Sequence, residues 1–433
     1  MKKSREELVE LDKRYVWHPY TQMQEYIESG EPLVISHAKG SRLFDQDGRS
    51  YIDGNSSWWT ALLGHQHPRL IAALKQQADE LCHTALAGIT HEPAALLAEA
   101  LVKVAPLGLT RVLFSDNGST ALEAAIKMAL KFWQQNGYPG RKRFVALEGA
   151  FHGETLGVTA LSGVEVFRRP FADVLMECIH VPLEVDGYER AFAVAERLLR
   201  DKAQEIAAVV VEPLLQGAGG MRVYAAEYLK RLRAVTAELD ILLVADEVFT
   251  GYGRTGPMWA CEHAGVAPDI LCSAKGFSGG LLPMAATLAS ERVFGGFLGD
   301  PSRALHYGHT YCGNPLGARV ALEVLAVYRD ESILELARPK AQRIKETVQA
   351  LAEVEGVSAV RSLGMVGAVE LQSSSSGYLE RAGWRVYEEA KKRGAYLRPL
   401  GNIVYMAPAL NISEVDLEEL LAIFTDSIRA VLK

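Results

Sequence analysis

Residues Ile241–Gly256 read ILLVADEVFTGYGRTG, and Asp269–Gly280 read DILCSAKGFSGG. Each contains a short apolar run, too short for a helix and without polar alternation. Such runs are strands covered on both faces. Each then ends in chemistry: Asp246 and Glu247 in the first, Lys275 in the second, with glycine-containing turns behind them. Ligands in open α/β sheets bind at the carboxyl ends of strands.

Working outward, RVLFS (Arg111–Ser115), KRFVAL, CIHVP and IAAVVVEP read as further strands. Between them lie helical patterns: HPRLIAALKQQADELCH, STALEAAIKMALKFW, YERAFAVAERLLRDKAQ and AAEYLKRLRAVTAELD. In STALEAAIKMALKFW, Leu122 and Ile126, then Ala129 and Trp133, recur at helical spacing. Strands alternating with helices predict an α/β fold, a mostly parallel sheet sandwiched by helices. The first sixty or so residues are turn-rich, with short strands at LVIS and around an Asp-Gly hairpin turn in SRLFDQDGRSYID. After about Asp330 the pattern becomes α+β, and SSSSG at Ser373–Gly377 reads as a surface loop. We expect a large domain at 61–330 and a smaller one built from both chain ends, 1–60 and 331–433.

Composition narrows the partners. Of 433 residues, 49% are hydrophobic and 23% charged, which are globular proportions. The net charge of −7 speaks against nucleic acid, whose phosphates need a basic surface. No apolar run approaches the ~18–20 residues that span a bilayer, so no membrane is expected. MKKSREELVELDKR lacks the apolar stretch of a signal peptide. Five scattered cysteines form no disulfide framework, and a reducing, cytoplasmic setting is expected.

The motifs divide by the chemistry they permit. SDNGSTALEA (Ser115–Ala124) is a strand end, a polar turn and a helix start, with Thr120 and Glu123 spaced as a capping box. The free N–H groups of Gly118 and Ser119 make it an anion site. GYGRTG fits a dinucleotide fingerprint literally, the basis of an oxidoreductase reading. It does so poorly: two carboxylates stand where pyrophosphate would approach, and PMWACEHAG is a weak helix start. Lys275, at a strand end with no charge run around it, suits a partly desolvated amine acting as nucleophile or base. In HYGHTYCGNP (His306–Pro315) the His and Cys spacing lacks a matching second half, so no metal is expected. Gly308 and Thr310 are better read as backbone and hydroxyl donors.

Taken in order, these pieces resemble the class-III (subgroup II) aminotransferases of fold type I, which use pyridoxal 5'-phosphate, over almost the whole chain. The spacing of DEVFTGYGRTG and SAKGFSGG is specific to that family. WHPYTQM (Trp17–Met23), GNSSWW (Gly54–Trp59) and LRPLGNIVY (Leu397–Tyr405) are similar to the branch of biotin synthesis. That branch passes the amino group of S-adenosylmethionine to 8-amino-7-oxononanoate in a ping-pong scheme through pyridoxamine phosphate, giving 7,8-diaminononanoate.

The resemblance implies a seven-stranded, mostly parallel sheet and a homodimer with sites at the interface. It implies that Lys275 links to the cofactor aldehyde and then moves protons, and that Asp246 keeps the ring nitrogen protonated. Val248 and Phe151 would cover the two ring faces, with Val248 on the same strand face as Asp246. Gly118 and Ser119 would hold the phosphate, joined by His309 and by Thr310 reaching into the neighbouring subunit's site, while Gly308, with Phe151 and Lys275, would touch the substrate. Arg398 would take the substrate carboxylate, and Tyr20, Trp58 and Trp59 would wall the acceptor chain. Glu212 would lie at the site rim, and Tyr405 would touch substrate or phosphate. GAFHGE departs from the family's usual Tyr-His-Gly-Asp at Phe151 and Glu154. A phenyl ring stacks but donates no hydrogen bond, so lysine as donor is the alternative, followed by another class-III ω-amino-acid transaminase.

Overall fold

The computed structural model describes residues 3–183, 187–373 and 379–433. Its main sheet runs in the order Leu109–Ser115, Ala285–Ser290, Ile270–Ser273, Leu242–Asp246, Ile206–Val211, Arg143–Leu147, Cys178–Val181. The last five strands are parallel. Ala285–Ser290 runs antiparallel to both of its neighbours. The central strands are wholly buried, and each buried Leu, Ile or Val in them contributes about 1.5–3 kcal/mol.

The helix Gly118–Gln135 packs Ala121, Leu122, Ala125, Ile126, Ala129 and Trp133 against this sheet. Its N-terminus corrects the expected capping box. The cap is Asn117, whose Oδ1 accepts from the Thr120 N–H while the Thr120 hydroxyl oxygen accepts from the Asn117 N–H. Glu123 turns away and accepts from the Thr155 hydroxyl and the Val158 N–H.

Chain ends meet in a four-stranded sheet. Ile35–Lys39, Arg42–Asp45 and Ser50–Asp53 form an antiparallel meander, and Ala395–Tyr396 adds in parallel to Ser50–Asp53. A three-stranded sheet joins Val357–Leu363, Val366–Leu371 and Ile403–Met406. The turn-rich start also holds two helices that the sequence reading passed over, Arg5–Tyr15 and Met23–Ser29. Of the SSSSG stretch only Ser373, which is exposed, falls within the described residues. Among the described residues no helix is long and apolar enough to cross a membrane.

Candidate active site

The carboxyl ends of the sheet strands floor a cavity of about 680 Å³, which continues outward into a second chamber of about 370 Å³ through Trp59, Phe151, Glu154, Ala218 and Lys275. Asp246 closes the Leu242–Asp246 strand and faces this floor. His152 Nδ1 lies 2.7 Å from Asp246 Oδ2, and neither side chain is open to solvent. Desolvation alone would lower the His152 pKa, but the bond to Asp246 and the charges of Asp246 and Glu212 raise it above its ordinary value. GAFHGE by itself assigns His152 no role. Its signal was position, directly after the residue expected to stack on the ring.

Lys275 opens a short 3-10 turn two residues past its strand, with a left-handed φ of 50°. Such φ in a non-glycine residue is uncommon and recurs at functional sites. Its Nζ sits 4.3 Å from the centre of the Trp59 ring and 5.7 Å from that of Phe249. Desolvation lowers its pKa to about 8, against the opposing charges of Asp246, Glu212 and Glu154.

Glu212 belongs to the floor rather than the rim. Its carboxylate accepts from the Phe151 N–H at 3.0 Å and the Gly217 N–H at 2.9 Å, and burial pushes its pKa up to about 7. Glu247 points the opposite way from Asp246 and is structural. It accepts from the N–H groups of Ala260 and Cys261 and from the Thr250 hydroxyl.

At the other end stand Gly118 and Ser119 at the helix N-terminus, where free N–H groups and the dipole favour an anion. The space there is shaped closely. A Cβ on Gly118 would come within 2.8 Å of Val248 Cγ1, and one on Gly153 within 2.3 Å of Ser119 Oγ. Val248 lines the cavity, though not from a strand face: the strand ends at Asp246, and the Val248 N–H folds back onto Asp246 Oδ1. A helix N-terminus suited to an anion, a fixed carboxylate, a desolvated amine and the apolar side chains of Val248 and Phe151 make a lining that fits a phosphorylated pyridine aldehyde.

The outer chamber is aromatic. Tyr20 meets Trp58 edge-on at 5.4 Å and Phe167 at 5.7 Å, and Phe167 meets Phe151 at 5.1 Å. Ser56, Ser57, Trp58 and Trp59 all have left-handed φ, between 45° and 74°. Left-handed turns of L-residues cost about 1–2 kcal/mol per residue. The turn is tied down: the Ser57 hydroxyl and His65 Nε2 lie 2.8 and 2.9 Å from Asp53 Oδ2, and the Ser56 hydroxyl donates to Ala407 O. Arg398 places its guanidinium 4.8 Å from the Trp58 ring.

Other expected residues lie elsewhere. Tyr405 is 1% exposed and accepts from Trp59 Nε1 at 3.0 Å, so it supports the wall from behind and does not touch the cavity. Gly308 and Thr310 are exposed and outside the cavity of this chain, while His309 Nε2 lies 3.4 Å from Asp116 Oδ1 at its edge. GYGRTG lines neither chamber: Arg254 is buried and donates to Pro408 O, and only the 3-10 turn Ala260–Ala264 follows. Among the described residues no cluster of His, Cys, Asp or Glu is arranged to hold a metal.

Known proteins match this arrangement along its length. A family model described as aminotransferase class-III matches residues 26–428. The adenosylmethionine-8-amino-7-oxononanoate aminotransferase of Geobacter sulfurreducens is 40% identical, over 98% of both chains. That of Aquifex aeolicus is 39% identical over 94% of both. The crystal structure of the Methanocaldococcus jannaschii enzyme of the same name superposes with a TM-score of 0.95 at 36% identity, covering 99% of each chain. The omega transaminase of Pseudomonas jessenii, solved in complex with PMP, superposes at 0.92 with 30% identity over 98% of each. A sheet, a floor and a lysine in this order, with matches spanning nearly the whole chain, establish that the protein belongs to the class-III aminotransferase family.

Proposed function

We propose that the protein transfers the amino group of S-adenosylmethionine to the ketone of 8-amino-7-oxononanoate, giving 7,8-diaminononanoate, with pyridoxal 5'-phosphate as cofactor. The observation that carries this is the Lys275 amine, its pKa drawn down to about 8, set in a cavity between Asp246 and the helix N-terminus at Gly118. The relatives in Geobacter sulfurreducens and Aquifex aeolicus carry the name of that reaction.

Pyridoxal phosphate, when bound, supplies the carbonyl that takes up the amino group and the ring that accepts the electron pair. Gly118 and Ser119 would bind its phosphate, and Asp246, held by His152, would keep a proton on its ring nitrogen. Val248 and Phe151 would cover its faces. Near neutral pH the depressed Lys275 Nζ passes readily between base and acid, so it can take a proton from the carbon bearing the amine and return one nearby. Arg398 would pair with the substrate carboxylate through a planar, two-pronged contact. Tyr20, Trp58 and Trp59 would exclude water along the acceptor chain.

We further read the molecule as a cytoplasmic homodimer, Thr310 of one subunit completing the phosphate site of the other; the exposure of Gly308 and Thr310 supports this. The division at 1–60, 61–330 and 331–433 is supported by the pairing of Ser50–Asp53 with Ala395–Tyr396. Lysine as donor is the second reading. Phe151 offers no hydroxyl, and the exposed Glu154 carboxylate borders both chambers, where it could meet an ammonium group.

Borohydride reduction of the cofactor-loaded enzyme followed by peptide mapping should place the adduct on Lys275. An adduct elsewhere overturns the assignment. Single-turnover conversion of the bound cofactor by S-adenosylmethionine, by lysine and by 4-aminobutyrate then decides the donor.

A further inference from the structure

We propose that Asn55 is a positioning residue that sets the carboxylate end of the site by locking the backbone of Arg398 to the turn that carries Trp58. The proposal rests on the reading of Arg398 as the carboxylate partner.

Ser50–Asp53 and Ala395–Tyr396 pair in parallel, with Ile52 N donating to Gly394 O and Gly54 N to Tyr396 O. The next rung of a parallel ladder would run from Arg398 N–H to Gly54 O. Gly54 O is already taken, by Ala407 N at 2.7 Å. Beyond Gly54 the chain leaves the strand for the left-handed turn Ser56–Trp59. The Arg398 N–H would be orphaned there, and the side chain of Asn55 replaces the missing rung: its Oδ1 accepts from Arg398 N at 2.6 Å.

Asn55 is 1% exposed, and its other polar atoms are also used. Nδ2 donates to Tyr405 O at 3.2 Å, and the backbone carbonyl accepts from Trp59 N at 2.8 Å. One residue therefore fixes three pieces at once: the segment carrying Arg398 just past its strand, the strand carrying Tyr405 and the turn presenting Trp58 and Trp59. The Arg398 guanidinium has no carboxylate partner among the described residues; it lies 4.8 Å from the ring centre of Trp58, which lines the outer chamber, and 5.6 Å from that of Trp384. Two indole rings guide it and no ion pair fixes it, so its aim depends on how its backbone is set relative to the turn that carries Trp58.

Asn55 touches neither chamber, so the test reads substrates that differ only at the carboxylate. KM for 8-amino-7-oxononanoate and for its methyl ester is measured in the loaded wild type, Asn55→Ala and Arg398→Ala. Displacing a binding group by about 1 Å costs up to a hundredfold, and a partial loss of aim should raise KM for the acid about tenfold in Asn55→Ala. The ester KM and kcat should stay within about twofold of wild type. Equal rises for acid and ester would mark a general structural defect and overturn the proposal. So would an unchanged acid KM in Asn55→Ala while Arg398→Ala raises it. If Arg398→Ala also leaves the acid KM unchanged, the carboxylate assignment itself falls, and this proposal with it. Should Asn55→Ala fail to fold, Asn55→Ser is read in the same way: its hydroxyl is too short to span both Arg398 and Tyr405, and the same acid-selective rise is expected.

Discussion

His152 Nδ1 and Asp246 Oδ2 stand 2.7 Å apart beneath the cavity, with His152 fully shielded from solvent. The carboxylate that ends the central strand is therefore aimed by a ring on a different loop. Removing that ring leaves Asp246 buried with one contact fewer. Outer partners of this kind are worth about ten- to a hundredfold, and His152→Ala should lower kcat by that amount. His152→Asn, whose amide nitrogen falls where Nδ1 was, should recover most of it. Equal loss in both variants would show that the ring only fills space. Steady-state kinetics with the absorption spectrum of the bound cofactor makes the distinction.

Lys275 has its pKa lowered to about 8 by desolvation. Its free-base fraction therefore rises with pH up to about 8 and levels off above. In cofactor-free protein, acylation of Lys275 by an amine reagent, followed by peptide mass analysis, should show a midpoint near 8. Below it the rate should fall about tenfold per pH unit. A midpoint near 10 would mean an ordinary solvated amine.

Glu247 holds three donors from one buried carboxylate: two backbone N–H groups and a hydroxyl. Orphaned buried donors cost about 1–3 kcal/mol each, so Glu247→Ala, which orphans three, should lose about 3–9 kcal/mol of stability. Burial raises its pKa to about 7. The folded state thus binds a proton that the unfolded state releases, and this group's contribution to stability falls as pH rises from about 4.5 to 7. In Glu247→Gln that slope should vanish from denaturation curves recorded across the window.

Tyr405 serves the wall through its hydroxyl, which accepts from Trp59 Nε1. Tyr405→Phe should cost about 1 kcal/mol in urea unfolding and leave the indole N–H without its partner. Turnover should change by less than about threefold, because the ring remains packed in place. A large loss of activity at unchanged stability would return Tyr405 to the substrate.

The parts of the molecule that sequence conveys well are those where one local rule decides. ILLVADEV and IAAVVVEP could be little but buried strands, and their carboxyl ends mark the ligand side of the sheet. Ala285–Ser290, read AATLAS, escaped because its small residues carry helix preference, and only two flanking antiparallel partners make it a strand. The left-handed turn at Ser56–Trp59 was also hidden, since no glycine announces it and its support comes from Asp53, His65 and Ala407. Glu212 and Glu247 look alike in sequence, each a carboxylate at a strand end. Which one faces the ligand depends on the turn that follows.

The pairing of Ser50–Asp53 with Ala395–Tyr396 sets an order of assembly. During synthesis the floor bearing Asp246 and the amine of Lys275 emerge while the outer chamber still lacks Leu400 and the Arg398 that leans on Trp58. Those two residues arrive only when the tail returns to a strand made near the beginning, a late contact between segments distant in the chain. A nascent or C-terminally shortened chain could thus present a reactive amine beside its aromatic walls before the cation that would read the acid end of a substrate is in place.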